Sequence, residues 1–451
     1  MIIVSAFAVG MALLSSLDVI RVGLDRNAAM VPDGTVNLDG EFTPIPEPSS
    51  PVAEDESCPL LERIDEAKTM LSDVTLDVGD RDIAYSEVRH GTTRIYNDPE
   101  KEFALIVLHE QRCELELITI TKRGDELIAP EGWEIEPVLR LSGIRWNNWN
   151  TEFKITKPAN AVVVANVEPF IVAERPEQRL IKDGKVRTVY TTSRTIEYRP
   201  YVPYSRDLHT YSRVIQDDAL VIAAREYLED LVARVYATLR ERGVRSRAFP
   251  ERLVTELPFL TQEMFVRLPI IEHIDMLEFV IEPDRMVERV LVIIGGNKED
   301  AFVFTCSHAG ACGMMQFTDR NGNGTYSMIL DRYPEAKLTL DFQEGAKDHL
   351  NAMMAAVLLH DNNLRMLVNV FGEDIAEDPH LEEYLAALYN ASPASVVPAI
   401  TLGRVNPKND WAEFLQIEET AGYMVKLRHL QDSGVQYASF DRHEADFSPA
   451  P

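Results

Sequence analysis

The stretch Ser307-His308-Ala309-Gly310-Ala311-Cys312-Gly313-Met314-Met315-Gln316-Phe317 carries the most information in this chain. Small residues crowd its first half, where backbone can approach backbone or a ligand closely. An apolar pair then leads to Gln316, whose amide both donates and accepts hydrogen bonds. Met314 and Met315 read as packing residues, since methionine fills irregular gaps.

Around this run the pattern is helical. Leu220, Ala223, Ala224, Tyr227, Leu228, Leu231, Val232, Val235, Tyr236 and Leu239 recur at helical spacing over Ala219 to Arg242, and Gly243 ends the pattern. Further helices are expected at 260–271, 283–294, 342–360, 382–389 and 418–430. No repeat at solenoid spacing is visible. Residues 206–445 therefore read as one α-rich domain.

Three segments, in order, resemble those of lytic transglycosylases, the lysozyme-like enzymes that cleave peptidoglycan. Ser307 to Gln316 is similar to the family's Ser-x-Ala-Gly-Ala-x-Gly-Leu-Met-Gln motif. Ala386-Ala387-Leu388-Tyr389-Asn390-Ala391-Ser392 resembles Ala-Tyr-Asn-Ala-Gly, with Ser392 in place of glycine. Glu419-Thr420-Ala421-Gly422-Tyr423-Met424 resembles Glu-Thr-Arg-x-Tyr-Val, with Ala421 in place of arginine. The resemblance covers about residues 255–430. It implies a soluble lytic transglycosylase or goose-type lysozyme-like fold, and non-hydrolytic cleavage of the β-1,4 bond between N-acetylmuramic acid and N-acetylglucosamine. One glutamate would act as acid and then base, leaving 1,6-anhydro ends, with no cofactor. It also implies Ser307, Gln316, Tyr389 and Asn390 as substrate-binding residues, with Glu419 and Tyr423 supporting them. The departures at Ser392 and Ala421, with two glutamates competing as the acid, keep open a non-catalytic glycan-binding or scaffold protein on a degenerate lysozyme-like fold; a lysozyme-type hydrolase is a third alternative, distinguished only by its products.

Glycoside cleavage needs a proton for the leaving oxygen, hence a carboxylic acid kept protonated by an apolar setting. Two glutamates compete. Glu272 ends the apolar approach Leu268-Pro269-Ile270-Ile271, suited to raising a carboxyl pKa, and resembles the Leu-Pro-x-x-Glu of membrane-bound relatives. Glu299 opens Glu299-Asp300-Ala301-Phe302, which fits the family's Glu-Ser-x-Phe. Its approach, Gly295-Gly296-Asn297-Lys298, reads as polar and helix-breaking, and Lys298 favours the charged form. Glu272 is preferred and Glu299 is the rival.

No zinc spacing is present, so His308, His349 and His360 are expected as surface or capping residues rather than ligands. Asp319-Arg320-Asn321-Gly322-Asn323-Gly324 begins like a calcium loop, with oxygens at Asp319, Asn321 and Asn323, but Leu330 occupies the position of the closing glutamate. A glycine-rich turn is the better reading. Four cysteines allow three pairings; Cys58 with Cys113 and Cys306 with Cys312 are one set, and free buried thiols are the plainer alternative.

Residues 59–205 have a different texture. A short amphipathic helix at Leu60-Leu61-Ile64-Ala67-Leu71 precedes strand-like runs at 103–108, 114–120, 162–167 and 187–192, separated by turn residues. The expected fold class is multidomain: a β-rich domain, sandwich or barrel-like, followed by a mainly α lysozyme-like domain. The β-rich domain carries no recognised chemistry and is left for a cell-envelope protein partner. The segment Trp146-Asn147-Asn148-Trp149-Asn150 reads as a loop packed on the sheet rather than a sugar platform.

The chain has 451 residues, enough for about three units. With 45 Lys and Arg against 73 Asp and Glu, its net charge of −28 argues against nucleic acid as a partner. It also argues against anionic headgroups, so peptidoglycan strands would be held by local contacts. Residues 1–25, apolar from Ile2 to Leu14, read as a signal peptide or signal anchor without a basic start. Residues 26–58 read as a Pro- and acid-rich linker. The expected location is periplasmic or extracellular, with the N-terminus available for membrane association.

Overall fold

The computed structural model describes residues 58–77, 83–88, 91–96, 100–123, 126–141, 151–180, 186–204, 219–307, 309–319, 322 and 324–433. The expected leader, the linker before Cys58, the Trp146–Trp149 segment and His308 lie outside the described residues. The described chain is mixed α and β, with eleven α-helices and small antiparallel sheets. No helix among the described residues is long and apolar enough to cross a membrane.

Helix α1 (Leu60–Ser72) forms as its spacing predicts, burying Leu60, Ile64, Ala67 and Leu71 while Leu61 faces solvent. It packs on a four-stranded sheet ordered β5 (Glu126–Ile128), β4 (Glu114–Arg123), β3 (Lys101–His109), β8 (Ala161–Val167). Alternation along the central strand splits the apolar residues between two cores. Ala104, Ile106 and Leu108 join the α1 side, whereas Phe103, Leu105 and Val107 face Ile135 and Phe153 on the hairpin of β6 (Glu134–Pro137) and β7 (Phe153–Lys157). Both faces of β3 are therefore covered, which explains its unbroken apolar run. Two further hairpins pair β1 (Ile83–Val88) with β2 (Gly91–Tyr96), and β9 (Pro169–Leu180) with β10 (Val186–Tyr198). Cys58 and Cys113 are joined, fixing the start of α1 to the β3–β4 turn.

The helical part begins with α2 (Ala219–Glu241), followed by α3 (Gln262–His273), α4 (Met276–Phe279) and α5 (Pro283–Asn297). After the Ser307 run come α6 (Thr325–Arg332), α7 (Phe342–Lys347), α8 (His349–Phe371), α9 (Leu381–Asn390), α10 (Pro393–Val405) and α11 (Glu418–Asp432). The single helix expected at 342–360 is two, because Asp341 and Asp348 each cap a new start by accepting from Glu344 N and Asn351 N. Helix α8 is buried around its whole circumference between Ala352 and Leu364, as befits the central element of a helical core.

Two expectations are corrected here. Gly295-Gly296 does not break a helix; α5 runs through it. A Cβ at Gly295 would lie 1.9 Å from the carbonyl oxygen of Leu220, so the glycine allows α5 and α2 to touch. His349 and His360 are core residues rather than surface ones. His349 bridges the Tyr227 hydroxyl (2.7 Å) and the Ala301 carbonyl (2.8 Å), and His360 meets the Ala356 carbonyl at 2.9 Å. Burial pushes both imidazoles down to about 4, so both are neutral at neutral pH.

One apolar core contains residues from both sides of the 205/206 boundary, and contacts join residues 57–451 into one compact unit. The joint is specific. Asn166 and Tyr201 exchange backbone hydrogen bonds of 2.7 and 2.8 Å, so Tyr201 forms a one-residue bridge to the edge strand β8. The buried Asn297 amide then binds both backbone groups of Val202, at 2.8 and 3.0 Å.

Candidate active site

Helix α3 starts at the Thr261 cap, which accepts from Met264 N, and buries Met264, Phe265, Leu268 and Ile271. Its apolar face seats the helix, and Glu272 and His273 end it at the edge of a cleft of about 520 Å³. The tetrad Glu272, His273, Ser307 and Gln316 lines that cleft together with Thr305, Asp275, Arg140 and Arg289. Arg140 comes from the segment after β6, and its guanidinium holds Glu278 of α4 at 2.5 Å.

The Glu272 carboxyl accepts a 2.7 Å hydrogen bond from the Tyr423 hydroxyl of α11. Burial pushes its pKa up to about 7, against the opposing pull of the Tyr423 hydrogen bond and the Lys426 ammonium. Its place in the last turn of α3, at the negative end of the helix dipole, acts in the same direction as burial. Lys426 itself donates to the Ile274 carbonyl at 2.7 Å. Burial raises Tyr423 well above its ordinary 10, so its hydroxyl keeps the proton it donates.

His273, which the sequence did not single out, fixes the helix end. Its ring stacks on Phe302 with centroids 3.6 Å apart and planes 6° from parallel. Its Nε2–H donates to the Met314 carbonyl at 3.0 Å. Burial holds the ring neutral, pushing its pKa down to about 3. No one-dimensional signal marks this pair, because Phe302 lies far along the chain and takes a positive φ of 59°.

The Ser307–Phe317 run forms a small disulfide-bracketed β-turn structure. Cys306 and Cys312 are bonded and bridge-paired, and β11 (Ala311–Cys312) pairs with β12 (Phe317–Thr318). Ser307 closes the turn: its N–H donates to Ala311 O at 2.7 Å and its Oγ accepts from Ala311 N at 3.1 Å. Gly313 takes φ 76°, and a Cβ there would sit 2.0 Å from the Ala346 oxygen, so the run presses directly on α7. Gln316 reaches the cleft, but its Nε2 is engaged by Gly313 O at 2.7 Å.

The other expected residues fall into two groups. Tyr389 donates to the Met315 carbonyl at 2.6 Å, and Asn390 accepts from the Thr420 hydroxyl at 2.9 Å. Tyr389 thus braces the wall and Asn390 braces α11, and neither is among the residues lining the cleft. Glu419 is exposed on the first turn of α11 and acts on Glu272 only through its charge. Glu299 is exposed in a 3-10 turn (Lys298–Asp300) outside the cleft lining. In the glycine-rich segment Asp319 caps the turn by accepting from Gly324 N at 2.9 Å, while Asn321 and Asn323 lie outside the described residues. No group of three His, Cys, Asp or Glu able to hold a metal is found among the described residues.

In comparison with known proteins, no family model matches the chain, and no curated protein or solved structure is significantly similar to it.

Proposed function

We propose that this protein is a peptidoglycan lytic transglycosylase, an exported wall enzyme in which Glu272 is the acid and then the base. The observation that carries this reading is the Glu272 carboxyl: half-buried, held at about 7, and set in a cleft with Gln316 and Ser307. The ordered resemblance of three motifs supports it, as does the Tyr423 hydroxyl hydrogen-bonded to the same acid. On this reading residues 206–445 form the lysozyme-like domain, and 59–205 a β-rich domain facing an envelope partner.

The chemistry follows from one carboxyl. Protonated Glu272 gives its proton to the bridging oxygen as the bond to the muramoyl C1 breaks. The substrate's acetamido oxygen captures C1, and the substrate's own 6-hydroxyl then displaces it. The hydroxyl proton returns to the Glu272 carboxylate, which restores the acid and closes the 1,6-anhydro ring. Tyr423 orients the carboxyl throughout, and neutral His273 pins the end of α3 to the Met314 carbonyl.

A second reading, a lysozyme-type hydrolase, draws on Asp275, which lines the same cleft and caps α4 by accepting from Leu277 N at 3.0 Å. A second carboxylate there could activate water. Digestion of purified sacculi with mass analysis separates the readings. Anhydro ends are expected; reducing ends would select the hydrolase, and an absence of products would reject both.

A further inference from the structure

At the end of the sheet where β3 finishes and β8 begins, three connections enclose a second concave site of about 400 Å³ that shares no lining residue with the cleft. Its lining includes His109, Gln111, Arg112, Glu116, Trp133 and Asn160. We propose that this pocket binds a pyranose unit of a glycan chain, as a recognition site separate from the cleft at Glu272.

A sugar ring presents an apolar C–H face and a rim of hydroxyls, so its site needs a flat apolar surface beside planar polar groups. Trp133 supplies the first: the half-buried indole packs against the Phe103–Leu105–Val107 cluster and lines the pocket. Gln111 and Asn160 supply amides that donate and accept at once. His109 Nε2 meets Glu116 at 2.8 Å, an arrangement that fixes the imidazole and leaves a carboxylate oxygen available to hydroxyl donors. The volume falls within the range of small-ligand clefts.

Other ligand classes fit less well. Trp133 is the one large apolar side chain in the lining, too little for a lipid tail. Arg112 is paired with Glu114 at 3.1 Å, so the pocket carries no surplus of positive charge for a polyanion. The frame is pre-organised as a binding site requires. The Cys58–Cys113 bond holds the first connection, Glu110 N donates to Asn160 O at 3.0 Å between the first and third, and Trp133 N donates to Pro130 O at 3.1 Å within the second.

The test uses the full chain with Glu272→Gln, so that no glycan is consumed, and a soluble N-acetylglucosamine oligomer as probe. Hydrogen exchange is expected to slow on binding at 109–112, 130–134 and 157–161. Trp133→Ala should weaken binding about tenfold by calorimetry. Because Trp133 also packs on the sheet, Gln111→Ala with Asn160→Gly provides a second arm. Asn160 has φ 59°, which glycine adopts without strain, and the pair should weaken binding to a similar degree. Exchange protection confined to 272–275 and 305–316, or unchanged affinity in the double variant, would overturn the proposal. Protection at the three connections in a protein that releases no glycan products would uphold it while removing the catalytic reading.

Discussion

The cleft at Glu272 and the pocket at Trp133 are both polar concavities, but they treat charge in opposite ways. In the cleft, burial moves Glu272 up to about 7 and keeps His273 neutral, so these two groups sit near or past a change of charge. In the pocket, Glu116 and Arg112 keep 48% and 60% of their side-chain surface, and each has an oppositely charged or imidazole partner. A group that must hand over a proton needs desolvation, which costs stability. A group that only recognises hydroxyls is better left wet.

The largest expected effect breaks the comparison outright. Glu272→Gln should cut glycan turnover by about a thousandfold, as removal of a general acid does, while Glu299→Gln should leave it within about twofold. Sacculus digestion reads both; full activity in the first variant, or loss only in the second, would move the acid out of the cleft. Next comes Gly295→Ala, which forces α5 away from α2 and should cost about 3 kcal/mol in urea unfolding. Because α5 also carries the cleft-lining Val290, Ile293 and Arg289, glycan turnover should suffer while binding at Trp133 persists.

A third effect concerns stability. The folded protein holds the Glu272 proton more tightly than the unfolded chain, whose glutamates titrate near their ordinary 4.5. That contribution is fully present below about 4.5 and is lost as pH rises through about 7. Glu272→Gln keeps the group neutral, so it should stabilise the protein by roughly 2 kcal/mol more at pH 8 than at pH 4, allowing for partial exposure. An equal change at both pH values would contradict the burial account. The smallest effect sharpens the picture: activity should fall above about pH 7, and Tyr423→Phe should move that limb upward by about one pH unit. The Tyr423 hydrogen bond favours the ionised carboxylate, and a downward move would show that it does not.

Much of the helical frame is legible in the sequence. The 3.6-residue period at 219–241 and the apolar face of α3 mark helices that the structure places within a few residues. Both cysteine pairs are among the pairings the sequence allows. The apolar approach to Glu272 is local, so its setting could be anticipated. Contacts between distant segments could not. His273 on Phe302, Arg140 reaching the helical cleft, and α9 bracing the wall through Tyr389 depend on how elements dock, which periodicity does not encode. Gly295-Gly296 misleads for the same reason: without a partner helix in view, paired glycines signal a break rather than a close crossing.

The C-terminal end of α5 has a consequence for how the chain can be cut. Lys68 of α1 donates to the Gly296 carbonyl at 2.7 Å, Val202 sits over Gly296 where a Cβ would clash, and Asn297 clasps the Val202 backbone. Both partners, Lys68 and Val202, lie before residue 206. A fragment beginning there would uncover a carbonyl, a glycine face and a buried amide at one spot. The helical half is therefore not a portable module: any fusion or truncation that is to keep the cleft must carry the sheet and α1 along with it.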